Sequence, residues 1–493
     1  MQSNSNRILL TCGVILLVAC ICLSIISIGG AGLSVINRSV SPTIGPVEST
    51  TVATVIIRTE APTQTGSPAL APTSEPPLTG TVETTPEATL PAAGAIPADV
   101  TRQMDQIQDQ VVELRNLPPA NNVGRKLITR EQLRQKVVDD FLKDYTTEDA
   151  QTDTRVLSAF GLLEPGFDLY NFYTNLLSEQ IAGFYDDKTK EMYVIQGEGF
   201  QGPERLTYAH EYTHALQDHA YHIEQGLKYN NDICKTESER CAAVQALMEG
   251  DASLLEQEWF VNFATAQDRT EIQQFYNSYQ SPVYDSAPDF LKEDFVFPYT
   301  KGQDFVNYLH SAGGWSNVNN AYENTPVSTE QILHPERYPD DKPVDVSVPD
   351  LTGTLGEGWK EIDRNVMGEW YTYLILAHGR DANARIDDAQ AQAASTGWGG
   401  DTYVTYTQNQ GDGTVALLKS EWDTQGDAQE FIDAFQNYAR ARFGDPALNE
   451  SNQVAWDHDG GYDLFQFKGS QTIWVSAPDA DTANAVLQAS LNQ

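Results

Sequence analysis

The stretch Leu206-Thr-Tyr-Ala-His-Glu-Tyr-Thr-His-Ala-Leu-Gln-Asp218 lies between a helix start signal and a helix stop signal. Before it, Pro203 can take the first helical position, and Glu204 is favourable at the positive end of the helix dipole. After it, Gly226 can end the helix. Because apolar residues recur along the stretch at steps of three and four, one helix face is expected to be buried. The sequence therefore predicts one helix, over about 203–226, at the edge of a core.

The same stretch contains two histidines at a spacing that suits one metal ion. At about 100° per residue, His210 and His214 lie roughly 40° apart on the helix surface and one turn apart along it, so both imidazoles can reach the same ion. Glu211 lies beside the pair, where a carboxylate can accept a proton from water activated by the metal. The pattern His-Glu-x-x-His is typical of zinc-dependent hydrolases, with Zn²⁺ as the cofactor.

A third ligand is expected, because a catalytic zinc usually takes three protein ligands and leaves one position open. A second helix is predicted over about Ala242–Phe260, and Glu249 lies at the border of its apolar face. A carboxylate is costly to bury there unless a cation or hydrogen bonds satisfy it. Glu249 is thus the expected third metal ligand, and Asp251 and Glu256 are competing candidates that spacing does not exclude.

His210-Glu211-x-x-His214 followed by Glu249-Gly-Asp-Ala252 resembles zincin metallopeptidases of the gluzincin type, in a bacterial, membrane-anchored form. The resemblance spans roughly Ile181–Tyr338. It implies that the two helices pack together, that the second one supplies the glutamate ligand, and that the substrate is a peptide or protein. The sequence departs from the gluzincin pattern at Ser253, where an acidic residue often follows the ligand glutamate by four positions; the nearest acid is Asp251.

A strand pair is predicted before the histidine helix. Gln180–Tyr185 and Glu191–Ile195 have strand composition and are joined by the polar turn Asp186–Lys190. The resemblance implies that a peptide substrate pairs with an edge strand at this place by strand addition. An ordinary packed hairpin is the alternative.

A polar run after Gly313-Gly-Trp315 offers candidates for a further catalytic role. Val327–Tyr338 contains His334, Arg337 and Tyr338, and peptide hydrolysis develops an oxyanion that needs a donor besides the metal. A downstream His or Tyr supplies this donor in related zincins, so His334 is the first candidate and Tyr338 another. The alternative is a helix end with a solvated, charged tip.

The N-terminal end differs in composition from the rest of the chain. Residues 1–7 are polar, whereas Ile8–Ile36 carries no charge and is long enough to span the roughly 30 Å core of a bilayer. This predicts a single-pass anchor with residues 1–7 in the cytoplasm and the catalytic domain outside the cell. Leu17-Val-Ala-Cys20 also resembles a lipoprotein signal-peptidase box, in which Cys20 would be lipidated. Residues 37–98, rich in Thr, Pro, Ser and Ala, predict a disordered stalk.

Two cysteines lie in the globular part and flank a short polar loop. Cys234 and Cys241 enclose Lys235–Arg240, between the two metal-binding helices. Outside a reducing cytosol, an intrachain disulfide that closes this loop is expected. A zinc site of cysteine and histidine is the rival interpretation.

The folded remainder exceeds what one core usually serves, which predicts two domains and an α+β fold class. Residues 99–343 are expected to form a mainly helical, zincin-like catalytic domain with a small sheet. Its first helices are predicted over 101–114, 130–144, 153–163 and 170–180. Residues 344–493 mix helical and strand patterns, which predicts a small C-terminal α+β domain. Since this second domain carries no chemical motif, a substrate-positioning or scaffold role is expected for it.

Net charge narrows the range of partners. The chain has 69 acidic against 31 basic residues and a formal net charge of −38. Such a balance disfavours nucleic acid and anionic lipid as binding partners. The sequence therefore predicts a membrane-anchored zinc peptidase that acts outside the cell, with Glu211 as general base. The alternative is a surface-anchored binding or scaffolding protein whose zinc site is structural or catalytically inactive.

Overall fold

This computed structural model describes residues 96–195, 199–409, 411 and 413–491. The predicted cytoplasmic segment, the anchor at Ile8–Ile36 and nearly all of the stalk lie outside the described residues. The first described helix begins at Ala98, the last residue assigned to the stalk. Among the helices of the described part, none is long and apolar enough to cross a membrane.

Helices dominate the first two thirds of the described chain. In chain order they are α1 (Ala98–Arg115), α2 (Arg130–Lys136), α3 (Thr147–Ala159), α4 (Leu169–Gln180), α5 (Gly202–Tyr221), α6 (Asn231–Cys234), α7 (Ser238–Asn262), α8 (Ala266–Ser278), α9 (Pro282–Asp285), α10 (Asp289–Gly313), α11 (Trp315–Glu323), α12 (Thr329–Leu333), α13 (Thr352–Leu355), α14 (Gly368–His378), α15 (Asp388–Ser395), α16 (Gln425–Phe443) and α17 (Ala480–Leu491). A turn of π-helix, Val137–Phe141, follows α2, so the single helix predicted over 130–144 is wrong.

The strands form two sheets. They are β1 (Gly124–Ile128), β2 (Gly183–Asp186), β3 (Glu191–Ile195), β4 (Trp359–Asn365), β5 (Trp398–Gln408), β6 (Thr414–Trp422), β7 (Leu448–Asn449), β8 (Gln453–His458), β9 (Gly461–Lys468) and β10 (Gln471–Ala477). The small sheet has the order β1-β3-β2, with β1 parallel and β2 antiparallel to β3. The second sheet is antiparallel throughout, in the order β4-β5-β6-β10-β9-β8-β7. The α+β class is therefore confirmed.

The hairpin predicted before the histidine helix is confirmed as β2 and β3. The sheet order leaves β2 at an edge. The third strand, β1, was not predicted; it pairs in parallel with β3, which lies much further along the chain.

Helix α5 carries both histidines and is held by α1. The two helices share one buried cluster that includes Met104, Ile107, Val111, Leu206, Ala209, Tyr212 and Leu216. The helix begins at Gly202 with proline in its first turn, as predicted, but it ends at Tyr221, and His222 takes a left-handed conformation with φ of 53°. The end predicted at Gly226 is thus too late.

Helix α7 crosses α10 at very close range. A Cβ added at Gly302 would lie 2.1 Å from the carbonyl oxygen of Ala246, and one added at Gly250 would lie 2.1 Å from the carbonyl oxygen of Gly302. Only glycine permits this backbone approach. The crossing therefore fixes α7 at the turn that carries Glu249.

The C-terminal sheet is covered on both faces. Along β10, Ile473 and Val475 belong to a cluster completed by α17, whereas Trp474 faces α16 and the helical part. Phe160, the C-cap residue of α3, packs edge-on against Tyr403 and Trp474, with ring centroids 5.5 Å apart in both pairs. One core cluster thus runs across the domain boundary predicted at 343–344, and the described residues between 96 and 491 form one compact unit.

Candidate metal centre

Three residues predicted as metal ligands meet at one point. Oε2 of Glu249 lies 3.2 Å from Nε2 of His210 and 3.3 Å from Nε2 of His214. The ligand atoms of the three residues all lie within 4.8 Å of one another. His210 is fully buried, while the side chain of His214 is 16 % exposed. Helices α5 and α7 therefore form a three-ligand group that opens on the side of His214.

The other nitrogen of each imidazole has its own partner. Nδ1 of His210 lies 3.0 Å from Oε2 of Glu256, and Nδ1 of His214 lies 2.9 Å from Oε1 of Gln217. Acceptors at Nδ1 select the tautomer whose Nε2 lone pair is available to a metal. The donor set, two imidazoles and one carboxylate, is one that catalytic zinc takes. The residues therefore fit Zn²⁺.

The charges of His210, His214 and Glu249 shift one another's pKa values. Burial by itself lowers the pKa of His210, but hydrogen bonds with Glu249 and Glu256 outweigh burial and raise this pKa to about 10. Burial by itself raises the pKa of Glu249, but the charge of His214 and hydrogen bonds with both imidazoles lower it to about 2. A buried carboxylate that faces two imidazoles thus needs positive charge between them, which a proton or a divalent cation can supply.

The two competing ligand candidates have other roles. Glu256 lies behind His210, as described above. Asp251 accepts hydrogen bonds from Arg115 at 2.7 and 3.0 Å, from Gln217 at 3.1 Å and from the hydroxyl of Tyr322 at 2.7 Å. Since Gln217 also contacts His214, a continuous buried chain of polar contacts runs from α1 to the second ligand. Asp251 therefore serves to position Gln217.

Glu211 lies against the edge strand. Its side chain is buried, and its Oε2 accepts a hydrogen bond of 2.9 Å from the backbone N–H of Tyr185 in β2. Gly183 allows the close approach, because a Cβ there would lie 2.8 Å from Cγ2 of Thr207 and 3.6 Å from Cγ of Glu211. The carboxylate thus occupies an outward-facing amide of the edge strand β2.

A small cavity adjoins the ligands. Its walls are formed by Tyr185, Asp187, His214, Ile223, Gln245, Met248 and Glu249, around an empty volume of about 330 Å³ including its opening. Two of the three predicted ligands line it. Asp187, predicted as part of a polar turn, is buried, and burial together with the charge of Asp218 raises its pKa.

The polar run Val327–Tyr338 contacts α14 and the first turn of α7. Nε2 of His334 lies 2.9 Å from Oε1 of Glu369 in α14, and the hydroxyl of Tyr338 donates to the carbonyl of Asn324 at 2.5 Å. Helix α12, which ends next to His334, contacts α7 at Glu239, ten residues before Glu249 and hence about 15 Å away along the helix axis. The oxyanion role of His334 and Tyr338 stays a prediction.

Arg337 belongs to a separate acidic cluster. Its guanidinium lies 2.8 Å from Glu330, 3.5 Å from Asp341 and 3.4 Å from Asp423. These three acids have ligand spacing for a cation, but Arg337 already supplies the positive charge among them. The cluster ties α12 to the C-terminal sheet.

The sulfurs of Cys234 and Cys241 lie 2.04 Å apart, at disulfide distance. They join α6 to the first turn of α7, which excludes the rival cysteine and histidine zinc site. His219 and His222 are exposed, as the helix geometry of α5 predicts for residues outside the metal-binding face.

Comparisons with known proteins bear on the C-terminal sheet alone. A family model described as "Domain of unknown function (DUF8575)" matches residues 354–487. No curated protein and no solved structure matches the chain. The match covers β4 to most of α17 and leaves the metal centre outside.

Several residues of the site were not assigned their roles from the sequence. Gln217 follows His214 by three positions, and Glu256 follows Glu249 by seven, so helix periodicity could have placed each on the correct face. Two further residues come from distant helices, Arg115 and Tyr299. The ring centroid of Tyr299 lies 6.4 Å from that of His210. No local pattern points to these two residues.

Proposed function

We propose that this protein is a zinc-dependent peptidase of the gluzincin type. The observation that carries the proposal is the convergence of His210, His214 and Glu249 on one point, together with a fourth residue, Glu211, whose charge acts on His214. A purely structural zinc site has no use for that fourth residue. The alternative of a binding or scaffolding protein has no comparable observation in its favour.

Each residue of the group has a defined task. His210, His214 and Glu249 would hold Zn²⁺, while Glu256 and Gln217 orient the two imidazoles. Zinc with three protein ligands supplies Lewis acidity at its open position and lowers the pKa of water there toward about 7. Glu211 accepts a proton as water attacks the scissile carbonyl and returns a proton to the leaving amine. The amide of Tyr185 keeps this carboxylate in place.

The proposed location is the outer face of a bacterial cell membrane. The support is the uncharged segment Ile8–Ile36 followed by a stalk composition, together with the cysteine pair, which is typical of oxidising compartments. A peptide or protein substrate would then be met outside the cell.

Metal analysis and peptide cleavage test the proposal together. We expect about one zinc per chain, cleavage of a broad peptide library, loss of cleavage with a chelator and its recovery when zinc is returned. Zinc alone, with no other cofactor, should restore activity to the chelated protein. A purified protein that binds no zinc, or whose cleavage survives complete metal removal, would contradict the proposal.

A further inference from the structure

A large apolar cavity lies between the helical part and the C-terminal sheet. Its empty volume, including the space at its opening, is about 670 Å³. The largest side chains in its wall are Phe160, Phe297, Trp370, Tyr371, Tyr403 and Met367. We call this space the aromatic cavity.

The carboxyl groups in the cavity wall are already engaged. Asp294 accepts from the indole N–H of Trp370 at 2.9 Å and from the hydroxyl of Tyr371 at 2.8 Å. Oε1 of Glu239 accepts from the amide and hydroxyl of Thr329 at 2.5 and 2.7 Å. Burial raises the pKa of Asp294 to about 6 and that of Glu239 to about 8, which further disfavours an ionic partner. The acids thus hold the aromatic wall in place, and the cavity suits an uncharged group.

One end of the aromatic cavity approaches the candidate metal centre along α7, at Gln245. Glu239, Ala242 and Gln245 of α7 line it, while Gln245 and Met248 line the small cavity beside Glu249. Gln245 is therefore common to both spaces and precedes the metal ligand by one helical turn. A group bound in the aromatic cavity would lie within a few residues of a peptide bond at the metal.

We propose that the aromatic cavity binds one large apolar or aromatic side chain of the peptide substrate and so sets cleavage specificity. This inference rests on the proposed peptidase function. Val366, Met367, Trp370, Tyr371 and Tyr403 belong to the region matched by the family model of unknown function. Within this chain, that region would therefore form one wall of the substrate site.

The expected selectivity follows from apolar burial. A side chain the size of Phe or Leu buries much more apolar surface than Ala and is stabilised accordingly. Cleavage efficiency for peptides with a large apolar residue at one position near the scissile bond should therefore exceed that for Ala by about 10- to 100-fold. Lys or Arg at that position should be disfavoured.

Filling the cavity from α7 tests the assignment. Ala242→Phe should remove the preference for large side chains while cleavage of peptides with Ala at that position persists. Val261→Phe, at an exposed site near the other end of α7, is the matched control and should keep the wild-type profile. An unchanged profile in a folded, active Ala242→Phe variant would rule the cavity out as the specificity site.

Binding without cleavage separates this inference from the proposed function. In the zinc-loaded Glu211→Gln protein, fluorescence of Trp370 and its neighbours should report binding of peptides that differ only by Phe, Ala or Lys. The Phe peptide should bind at least about 10-fold more tightly than either other peptide. Equal binding, or a Lys preference, would refute the aromatic cavity even if zinc and cleavage are confirmed. A Phe preference in a protein that never cleaves peptides would instead refute the peptidase proposal alone.

Discussion

At the residue scale, the edge strand β2 holds Glu211 in one position. This glutamate is buried, its charge acts on the imidazole of His214, and a backbone amide of the edge strand donates a hydrogen bond to one of its oxygens. A glutamine has the same shape and can still accept this hydrogen bond. Substitution of Glu211 by glutamine therefore removes the basic carboxylate while leaving the packing and the candidate metal ligands in place.

Glu211→Gln should reduce peptide cleavage by about 10²-fold or more, because general-base catalysis contributes rate accelerations of 10²–10⁴. Zinc content and melting temperature should remain close to the wild-type values. Steady-state kinetics and metal analysis of the same preparation make the comparison. Full residual cleavage in the variant would show that Glu211 is not the base.

A second residue-scale prediction concerns Glu256, which lies behind His210. Glu256→Gln should weaken zinc binding by about 10- to 100-fold, because the charged acceptor at Nδ1 raises the basicity of the ligand. Competition with a chromogenic chelator measures the affinity. Glu258→Gln, two residues further along the same helix, is the control and should bind zinc like the wild type. Equal affinities in both variants would remove Glu256 from the metal centre.

At the element scale, the position of the third ligand depends on how α7 meets α10. Backbone contact at Gly250 and Gly302 brings the two helices closer than any side chain would allow. The ligand Glu249 immediately precedes the first of these glycines. Small residues at the crossing are thus a condition for the metal centre, although they carry no chemistry.

Gly302→Ala should lower both stability and zinc affinity. The new methyl group meets the carbonyl oxygen of Ala246, so the helices must separate, at a cost of about 1–3 kcal/mol or more. Thermal unfolding and chelator competition measure the two effects. Gly353→Ala is the control, because a Cβ there meets no atom within 4 Å. A Gly302→Ala protein as stable as this control would show that the crossing relaxes without consequence.

At the scale of the whole molecule, the helical part and the C-terminal sheet share a core and a set of buried acids. Glu239 of α7 contacts α12, and Glu369 and Asp401 on the C-terminal side lie close enough to influence its charge. Burial, followed by these neighbouring charges, raises the pKa of Glu239 from 4.5 to about 8, although hydrogen bonds from Thr329 act in the opposite direction. The junction therefore prefers a neutral Glu239.

This preference predicts a pH-dependent stability. Between about pH 4.5 and pH 8, Glu239 is protonated in the folded state and ionised in the unfolded chain. Its contribution to folding stability therefore falls as pH rises through this interval. Glu239→Gln keeps an acceptor for Thr329 and cannot ionise. Its melting temperature should exceed that of the wild type by a few degrees at pH 9, and the difference should shrink toward pH 5.

The control for this prediction is Glu237→Gln, two residues earlier. Glu237 is exposed and pairs with Arg240, an arrangement that contributes little to stability. Its melting temperature should follow the wild type across the same pH range. A constant difference between Glu239→Gln and the wild type from pH 5 to pH 9 would show that Glu239 does not titrate in this interval.

Local patterns predict many of the elements and two of the three candidate metal ligands. The spacing of His210 and His214 and the apolar periodicity around them specify a helix with two convergent imidazoles, because both signals act within one or two helical turns. The hairpin β2–β3, the α+β class and the cysteine pair follow from equally local features. Strand β1 could not be foreseen, since its partner lies far along the chain.

Contacts between distant elements decide the rest. One predicted helix carries three carboxylates that its sequence does not distinguish, Glu249, Asp251 and Glu256. The packing of α7 against α5, α1 and α10 gives each one a different partner. Glu249 faces the two histidines, Asp251 pairs with Arg115, and Glu256 lies behind His210. The same packing places His334 beside Glu369 and creates the aromatic cavity from segments more than two hundred residues apart. Periodicity repeats over a few residues, whereas these choices depend on which faces of separate helices meet, so tertiary structure alone determines them.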